Sequence, residues 1–154
     1  KKKNYQFVCT MDCDGTHEPK NIRTMFKHIK RYNLIMTTRF KYKNSLRGWP
    51  LKRIIITKMR YYLVSLILGT KFDSSGGFRL YDLNKIKLKD IFLAKDSNYN
   101  FLWESAFILE LKKYKIMEIP IILQKRSLGS SKMRLNDIFY GIFYLLKVFV
   151  IFKL

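Results

Sequence analysis

A run of apolar residues near the start of the chain ends in two carboxylates that are one residue apart. The run covers residues 5–11, and Asp12 and Asp14 follow it. It predicts a buried strand. Because alternate side chains of an extended segment point the same way, both carboxylates converge on one point. A hard divalent cation such as Mg²⁺ suits such oxygen ligands. The same residues also fit an Asp-Gly turn with two solvated acids.

The charge balance narrows the class of partner. The chain has 154 residues, with 31 Lys and Arg against 11 Asp and Glu, which gives a formal net charge of +20. The length indicates one domain with a core of its own. The charge favours a polyanion: a phosphorylated substrate, anionic lipid or nucleic acid. The basic residues are spread along the chain without a nucleic-acid-binding motif, so we expect no nucleic acid partner.

Cys9, Cys13 and His17 follow one another at four-residue spacing, a pattern that would suit zinc only on a helix. The Asp-Gly turn and Pro19 oppose a helix here. Structural zinc sites also normally use four ligands. We therefore expect two free thiols rather than a zinc site or a disulfide.

Apolar periodicity along the rest of the chain alternates between helix and strand and predicts an α/β fold. We expect helices over residues 18–30, 51–68 and 101–113, and strands over 34–38, 116–119 and 121–124. Gly69 is expected to end the second helix. Basic loops are expected over 41–50 and 125–132, and a flexible loop over 73–77.

Two predicted helices carry large apolar faces. Residues 51–68 form an amphipathic helix with a basic second face, and residues 138–152 are strongly apolar. The second stretch is shorter than the ~20 residues that span a bilayer, and Lys147 interrupts it. For the first helix, packing on the sheet and lying in a membrane interface are both open. The second is an interfacial helix, a core helix or the start of a membrane segment.

Motifs along nearly the whole chain follow the order of one family. They are Met-Asp-Cys-Asp at 11–14, Thr-Arg-Phe at 38–40, Gly-Trp-Pro at 48–50 with Arg53, Gly-Phe-Arg at 77–79, Tyr-Asn-Phe at 99–101 with Glu104, Glu-Ile-Pro-Ile at 118–121, and Arg126 with Gly129, Ser131 and Lys132. In order and spacing this set resembles the dolichyl-phosphate mannosyltransferase type of family 2 glycosyltransferase. The resemblance implies a GT-A fold, a Rossmann-like α/β sandwich. It also implies inverting transfer of a sugar from a nucleotide sugar to a polyprenyl phosphate.

The resemblance assigns roles to individual residues. Asp12 and Asp14 would hold Mg²⁺ or Mn²⁺ at the diphosphate of the donor. The residues that would bind donor and acceptor phosphates are Arg39, Arg53, Arg126, Ser131 and Lys132. Asp14, Arg39 and Arg126 are the expected catalytic residues. Arginine suits this task because its planar fork binds phosphate oxygens in pairs.

The implied chemistry needs no strong base, because the acceptor phosphate is already ionised at pH 7. Catalysis would then rest on positioning and electrostatic stabilisation. Glu104 is expected to orient a basic group, and Asp73 and Arg79 to order the loop beside the acceptor.

The implied partners are a nucleotide-sugar donor (GDP-mannose or a UDP-sugar), a polyprenyl phosphate acceptor and a membrane surface. The implied location is the cytoplasmic face of a membrane. Residues 1–134 would form a partial GT-A catalytic domain, and residues 135–154 an apolar C-terminal helix.

The chain also departs from the family pattern. It begins at the strand that carries the acidic motif, so we expect an N-terminally truncated sandwich with one exposed sheet edge. Thr16 stands where relatives often carry Gln, and Gly76 stands where they usually carry Ser. Two alternatives therefore stay open: an inactive glycosyltransferase remnant, and a non-enzymatic basic protein that binds anionic membrane or nucleic acid.

Overall fold

Four strands form one mixed sheet in the computed structural model, which describes residues 4–124 and 135–153. The strands are β1 (Phe7–Thr10), β2 (Leu34–Thr38), β3 (Arg79–Asp82) and β4 (Ile116–Pro120), in the spatial order β1-β3-β2-β4. β3 runs antiparallel to β1 and β2, while β2 and β4 are parallel. β1, β2 and β4 therefore point the same way. Their carboxyl ends meet at one end of the sheet, where β3 begins.

Helices flank this sheet. The described residues form α1 (Lys20–His28), α2 (Leu51–Leu68), α3 (Leu88–Ile91), α4 (Asn100–Leu111) and α5 (Leu135–Lys153). α1 continues into a 3₁₀ turn at Ile29–Arg31. Gly69 ends α2 in the left-handed region, at φ 70°, and donates its N–H to the Ser65 carbonyl. Glycine adopts that conformation without the steric cost of a Cβ.

The two faces of β2 pack against different helices, because successive side chains of a strand point to opposite faces. Leu34 and Met36 share a buried cluster with Leu109 of α4. Ile35 belongs to the cluster on the other face, which includes Met25 of α1. All five β2 residues are buried, as expected for a strand covered on both faces.

A further layer covers the outer side of α4. Trp103 and Phe107 of α4 pack with Val64 of α2 and with Leu145 and Val148 of α5. α4 is therefore the central helix, between the sheet and the pair α2 and α5. Replacing Phe107 by Ala would remove about 3–5 kcal/mol of stability. The division into residues 1–134 and 135–154 stays a prediction.

Several expected elements are confirmed. The strand over 34–38 and the helix over 51–68 have the expected bounds, and Gly69 ends that helix. The first strand, the first and third helices and the C-terminal helix lie within a few residues of the expected positions. The mixed α/β class is confirmed as well.

Two expectations about strands were wrong. Residues 121–124 form no strand; Leu123 makes only an isolated parallel bridge with Leu46. The single residue Pro120 leaves no room for a turn between two strands. β3 was not expected, because only its two central residues, Leu80 and Tyr81, are apolar. It is nonetheless wholly buried, between β1 and β2.

α2 and α5 carry exposed apolar side chains although they pack against each other. We call the following set the apolar helix surface: Leu51, Ile55, Met59, Tyr62 and Leu66 of α2, and Phe139, Phe143, Leu146 and Val150 of α5. Spacings of three and four residues place each group along one side of its helix. None of the helices in the described part of the chain is long and apolar enough to cross a membrane.

Candidate functional site

The carboxyl ends of β1, β2 and β4 bring the predicted site residues together. Asp12 and Asp14 follow β1, and Arg39 follows β2. The loop that ends in Gly77 leads into β3 at the same end of the sheet. In open α/β sheets ligands bind outside the carboxyl ends of the strands. The strand directions therefore bring these residues to the same end of the sheet.

A cleft of about 600 Å³ opens at this end of the sheet. Its walls come from the loop after β1, the end of β2, the first half of α2, the loop before β3 and the start of α5. The charged residues that line it are Asp12, Asp14, Arg39, Lys52, Arg53 and Arg60. Four of the predicted site residues thus face it: Asp12, Asp14, Arg39 and Arg53. Arg126, Ser131 and Lys132 lie outside the described residues.

The predicted set has seven members: the four that face the cleft and the three outside the described residues. Every predicted site residue that the structure describes therefore lies in one cavity. The contribution of Arg126, Ser131 and Lys132 stays a prediction.

The acidic motif forms a tight turn at the rim of the cleft. Gly15 adopts φ 77°, in the left-handed region that favours glycine. Asp14 Oδ1 accepts hydrogen bonds from the backbone N–H of Thr16 (3.1 Å) and from its hydroxyl (2.6 Å). The side chain of Asp12 is 56% exposed. One carboxylate is thus held by the turn, and the other faces solvent and the cleft.

His17 supports this turn from below. Its Nδ1 accepts the backbone N–H of Asp12 at 3.2 Å, and its ring packs against Phe78 with 5.0 Å between centroids. Burial lowers the pKa of His17, although the neighbouring carboxylates oppose that shift. A neutral ring with an unprotonated Nδ1 fits the hydrogen bond from Asp12. The sequence pattern had drawn His17 into a zinc hypothesis, whereas the structure gives it this supporting contact.

The donor set at the rim suits one kind of metal ion. No group of three His, Cys, Asp or Glu side chains in the described part of the chain is placed to hold a metal. Two carboxylates are a suitable protein contribution for Mg²⁺, which usually keeps waters and takes phosphate oxygens as its remaining ligands. Asp12 and Asp14 therefore fit an ion that is bound together with a diphosphate.

Gly77 brings the loop before β3 close to this motif. A Cβ at Gly77 would lie 3.1 Å from Asp12 Oδ1, so a side chain there would crowd the carboxylate. Thr10 donates its hydroxyl to the Gly77 carbonyl at 2.6 Å and fixes the loop against the end of β1. The glycine thus leaves space for the Asp12 carboxylate.

Arg39 is engaged by a buried carboxylate. Its Nε and Nη2 donate to the two oxygens of Asp73 at 2.8 and 2.7 Å, and Nη2 also donates to Ser75. Burial alone would raise the pKa of Asp73, but the charge and hydrogen bonds of Arg39 outweigh it and lower that pKa. Arg39 lines the cleft while its guanidinium holds the loop that contains Asp73.

Glu118 closes the same network from β4. Its carboxylate accepts the backbone N–H of Asp73 and lies 3.7 Å from Lys41 Nζ. Burial raises the pKa of Glu118. The loop expected to be flexible at residues 73–77 is therefore fastened from β2 and from β4.

Arg79 and Glu104 act away from the cleft. Arg79 is fully buried and donates to the carbonyls of Ser74, Gly76 and Leu102, so it orders the loop before β3 as expected. Glu104 was expected to orient a basic group, but its carboxylate instead accepts the backbone N–H groups of Lys95 and Asp96 and the hydroxyl of Tyr144.

Arg53 lies over the Trp49 ring, with the guanidinium carbon 3.8 Å from the ring centroid. Both residues line the cleft. Stacking on an aromatic face orients the plane of a guanidinium, and a guanidinium can bind two phosphate oxygens along one edge. This geometry suits the predicted phosphate-binding role.

Sequence reasoning missed Arg60 as a site residue. Arg60 is about two helical turns beyond Arg53 on α2 and also lines the cleft. Its Nη2 donates to the Tyr99 carbonyl at 3.0 Å. Burial, together with the nearby charge of Arg39, lowers the pKa of Arg60 to about 10. The seven-residue spacing from Arg53 was a usable signal, because it places both on one side of a helix.

A narrow apolar groove of about 140 Å³ lies between α2, α4 and α5. Its apolar lining residues are Ile56, Met59, Leu63, Val64, Trp103, Ile138, Ile142 and Leu145. The groove and the cleft share four lining residues, namely Ile56, Arg60, Tyr99 and Ile138. The polar cavity and the apolar groove therefore adjoin.

Comparison with known proteins gives two informative relatives, and no family model matches the chain. An undecaprenyl-phosphate mannosyltransferase of Micrococcus luteus is 25% identical over 133 residues, which are 86% of this chain and 55% of the relative. A polyprenol monophosphomannose synthase of Mycolicibacterium smegmatis is 24% identical over 139 residues, 89% of this chain and 52% of the relative. The chain spans about half the length of these curated relatives.

Both relatives carry names that match the resemblance found in the motifs. Each alignment covers most of this chain. The predicted recognition is therefore confirmed: over most of its length the chain is similar to polyprenol-phosphate mannosyltransferases, which is consistent with the dolichyl-phosphate mannosyltransferase type of family 2 glycosyltransferase.

Proposed function

We propose that this chain is the catalytic part of a polyprenyl-phosphate mannosyltransferase with a GT-A-like fold. The observation that carries the proposal is the single cleft that joins Asp12 and Asp14 to arginines of β2 and α2. The relatives' names supply the class of sugar and acceptor. The mixed sheet with helices on both faces is compatible with the GT-A sandwich.

The donor in this proposal is a nucleotide sugar such as GDP-mannose, with a UDP-sugar as the other choice. Its diphosphate would lie at the turn formed by Asp12 and Asp14, which would hold Mg²⁺ or Mn²⁺. The ion would neutralise charge on the leaving diphosphate. The Thr16 bonds to Asp14 and the His17 bond to the Asp12 backbone keep the two carboxylates in position.

The acceptor in this proposal is a polyprenyl phosphate whose oxygen attacks the anomeric carbon with inversion. A phosphate that is already ionised needs orientation rather than deprotonation. Arg53, stacked on Trp49, is placed to supply it. Arg126, Ser131 and Lys132 would complete the phosphate site by resemblance. Arg39 would act chiefly by holding the loop of Asp73, because its guanidinium is engaged there.

A membrane surface is the proposed place of reaction, because the acceptor's hydrocarbon chain stays in the bilayer; the cytoplasmic face is proposed from the resemblance alone. The apolar helix surface supports this proposal, since exposed apolar side chains along α2 and α5 suit the boundary of headgroups and acyl chains. Lys52 lies on the same helix as the α2 part of that surface. Basic residues beside an apolar face favour anionic lipid.

The experiment is transfer of labelled sugar to polyprenyl phosphate in detergent from GDP-mannose, UDP-glucose and UDP-N-acetylglucosamine. Each donor is tested with Mn²⁺, with Mg²⁺ and with a chelator. We expect mannosyl product from GDP-mannose that requires the divalent ion. Absence of product from every donor, with a chain that circular dichroism shows to be folded, would favour the inactive remnant instead.

A further inference from the structure

Arg60 occupies the boundary between the polar cleft and the apolar groove. It lines both, together with Ile56, Tyr99 and Ile138. On one side lie the acidic turn and Arg53, and on the other lie side chains such as Leu63 and Trp103 of the groove. A ligand in contact with Arg60 therefore meets polar surface in one direction and hydrocarbon in the other.

The charge of Arg60 lacks an acidic partner within the described residues. Its guanidinium donates to the neutral carbonyl of Tyr99, and among the described residues no carboxylate lies within ion-pair distance; Asp73 and Asp96 act on it from farther away. Burial lowers the pKa of Arg60 only to about 10, so the group stays charged at neutral pH. A partly buried cation without an anion in direct contact is less favourable than a paired one. The geometry therefore favours an external anion at this point.

The groove restricts the shape of that anion. Its volume of about 140 Å³ is below the usual size of a site for a nucleotide-sized ligand. Its lining is apolar, with Asp137 as the carboxylate among the lining residues. A slender hydrocarbon chain fits such a space, and an anionic headgroup next to that chain would reach Arg60.

We propose that Arg60 binds the phosphate of an isoprenyl phosphate whose first hydrocarbon units occupy the groove between α2 and α5. This inference rests on the proposed function, because it locates the acceptor of that reaction. It assigns to Arg60 a substrate-positioning role that the sequence pattern did not indicate.

The test is binding of geranyl phosphate, a soluble two-unit isoprenyl phosphate, with geraniol and inorganic phosphate as separate arms. The chain has two tryptophans. Trp103 lines the groove and Trp49 lines the cleft, so intrinsic fluorescence reports occupancy of either. We expect geranyl phosphate to bind about tenfold or more tightly than geraniol, as a charge-assisted hydrogen bond implies.

The variants are Arg60→Gln, Arg60→Lys and, as a matched control, Lys58→Gln on the same helix. We expect Arg60→Gln to lose the preference for geranyl phosphate over geraniol while geraniol binds as before. Arg60→Lys should restore part of that preference, and Lys58→Gln should keep all of it. Retention of the preference in folded Arg60→Gln would overturn the role of Arg60 alone, and the transfer reaction would stand.

Two further outcomes are informative. If Lys58→Gln lost the preference for geranyl phosphate as fully as Arg60→Gln, the preference would reflect the overall positive charge rather than a site at Arg60. That result would overturn the proposal. Failure of the unmodified, folded chain to bind geranyl phosphate at all would overturn this proposal, whereas the proposed acceptor is decided separately by the transfer assay with polyprenyl phosphate.

Discussion

Arg39 and Arg60 line the same cleft, but they are held in different ways. Arg39 forms two charged hydrogen bonds with the buried carboxylate of Asp73. Arg60 donates to a backbone carbonyl and has no ion-pair partner among the described carboxylates. The difference teaches that lining a cavity does not define a role. A cation with a buried partner fastens the protein, whereas one that lacks such a partner suits a ligand.

The largest effect should follow from Arg39→Gln. It leaves the Asp73 carboxylate buried without its cation, and loss of one partner of a buried pair costs about 3–5 kcal/mol. Urea denaturation measures the free energy of unfolding. The exposed Arg47→Gln is the control, with a change within about 0.5 kcal/mol. A loss for Arg39→Gln no larger than that of the control would remove the contrast on which the comparison depends.

Asp14→Asn should weaken Mn²⁺ binding by about tenfold or more, because an amide lacks the charge that a hard cation prefers. The amide oxygen can still accept the bonds from Thr16, so the turn should persist. Calorimetric titration with Mn²⁺ in the presence of GDP measures the effect. Cys13→Ser, between the two acids, is the matched control and should bind as the unmodified chain does. Unchanged binding in Asp14→Asn would rule out the proposed ligand.

The apolar helix surface should govern binding to vesicles. Leu66→Glu combined with Phe143→Glu replaces two exposed apolar side chains by charges, and burial of each is worth about 1.5–3 kcal/mol. We expect at least about tenfold weaker co-sedimentation with vesicles that contain anionic lipid. Phe92→Glu, at an equally exposed aromatic residue outside this surface, is the control. Equal losses in both proteins would argue against a specific membrane-facing side.

Arg60→Gln tests the other member of the pair, the arginine without an ion-pair partner among the described carboxylates. Since no ion pair is lost, we expect the free energy of unfolding to change by about 1 kcal/mol or less. The same urea titration as for Arg39→Gln measures it. A loss as large as that of Arg39→Gln would mean that Arg60 has a structural partner after all.

The smallest effect is a dependence of stability on pH. The pKa of Asp73 is lowered in the folded chain, so its ionised carboxylate adds to the free energy of unfolding above the ordinary Asp pKa. That stabilisation is lost as pH falls through the lower folded value. The pKa of Glu118 is raised, so its protonated form adds to the free energy of unfolding at low pH. That stabilisation is lost as pH rises through the folded value. Thermal unfolding between about pH 3 and pH 6 should show a shallower acid loss in Asp73→Asn.

Local patterns in the sequence were enough to predict much of the fold. β2 and α2 have strong apolar periodicity, and Gly69 marks the end of α2, so their bounds were predictable. β3 was not, because its burial depends on neighbours on both sides. Arg79 is charged in the sequence but is satisfied by carbonyls from distant loops. Tertiary contacts of this kind leave no local pattern.

The candidate site was also predictable in part from local sequence patterns. Asp12, Asp14, Arg39 and Arg53 belong to recognisable motifs, and the strand directions bring them to one cleft. That Arg39 is committed to Asp73 follows from a contact between residues 34 positions apart, which no local pattern encodes. Arg60 belongs to no motif, and its position between cleft and groove depends on the packing of α2 against α5.

The most direct test of the account is the formation and anomeric configuration of mannosyl phosphoryl polyprenol from GDP-mannose, with unmodified protein and with Asp14→Asn in parallel. We expect a product of inverted configuration, whose formation requires the divalent ion and is lost in Asp14→Asn. A product of retained configuration, or equal product from Asp14→Asn, would contradict it.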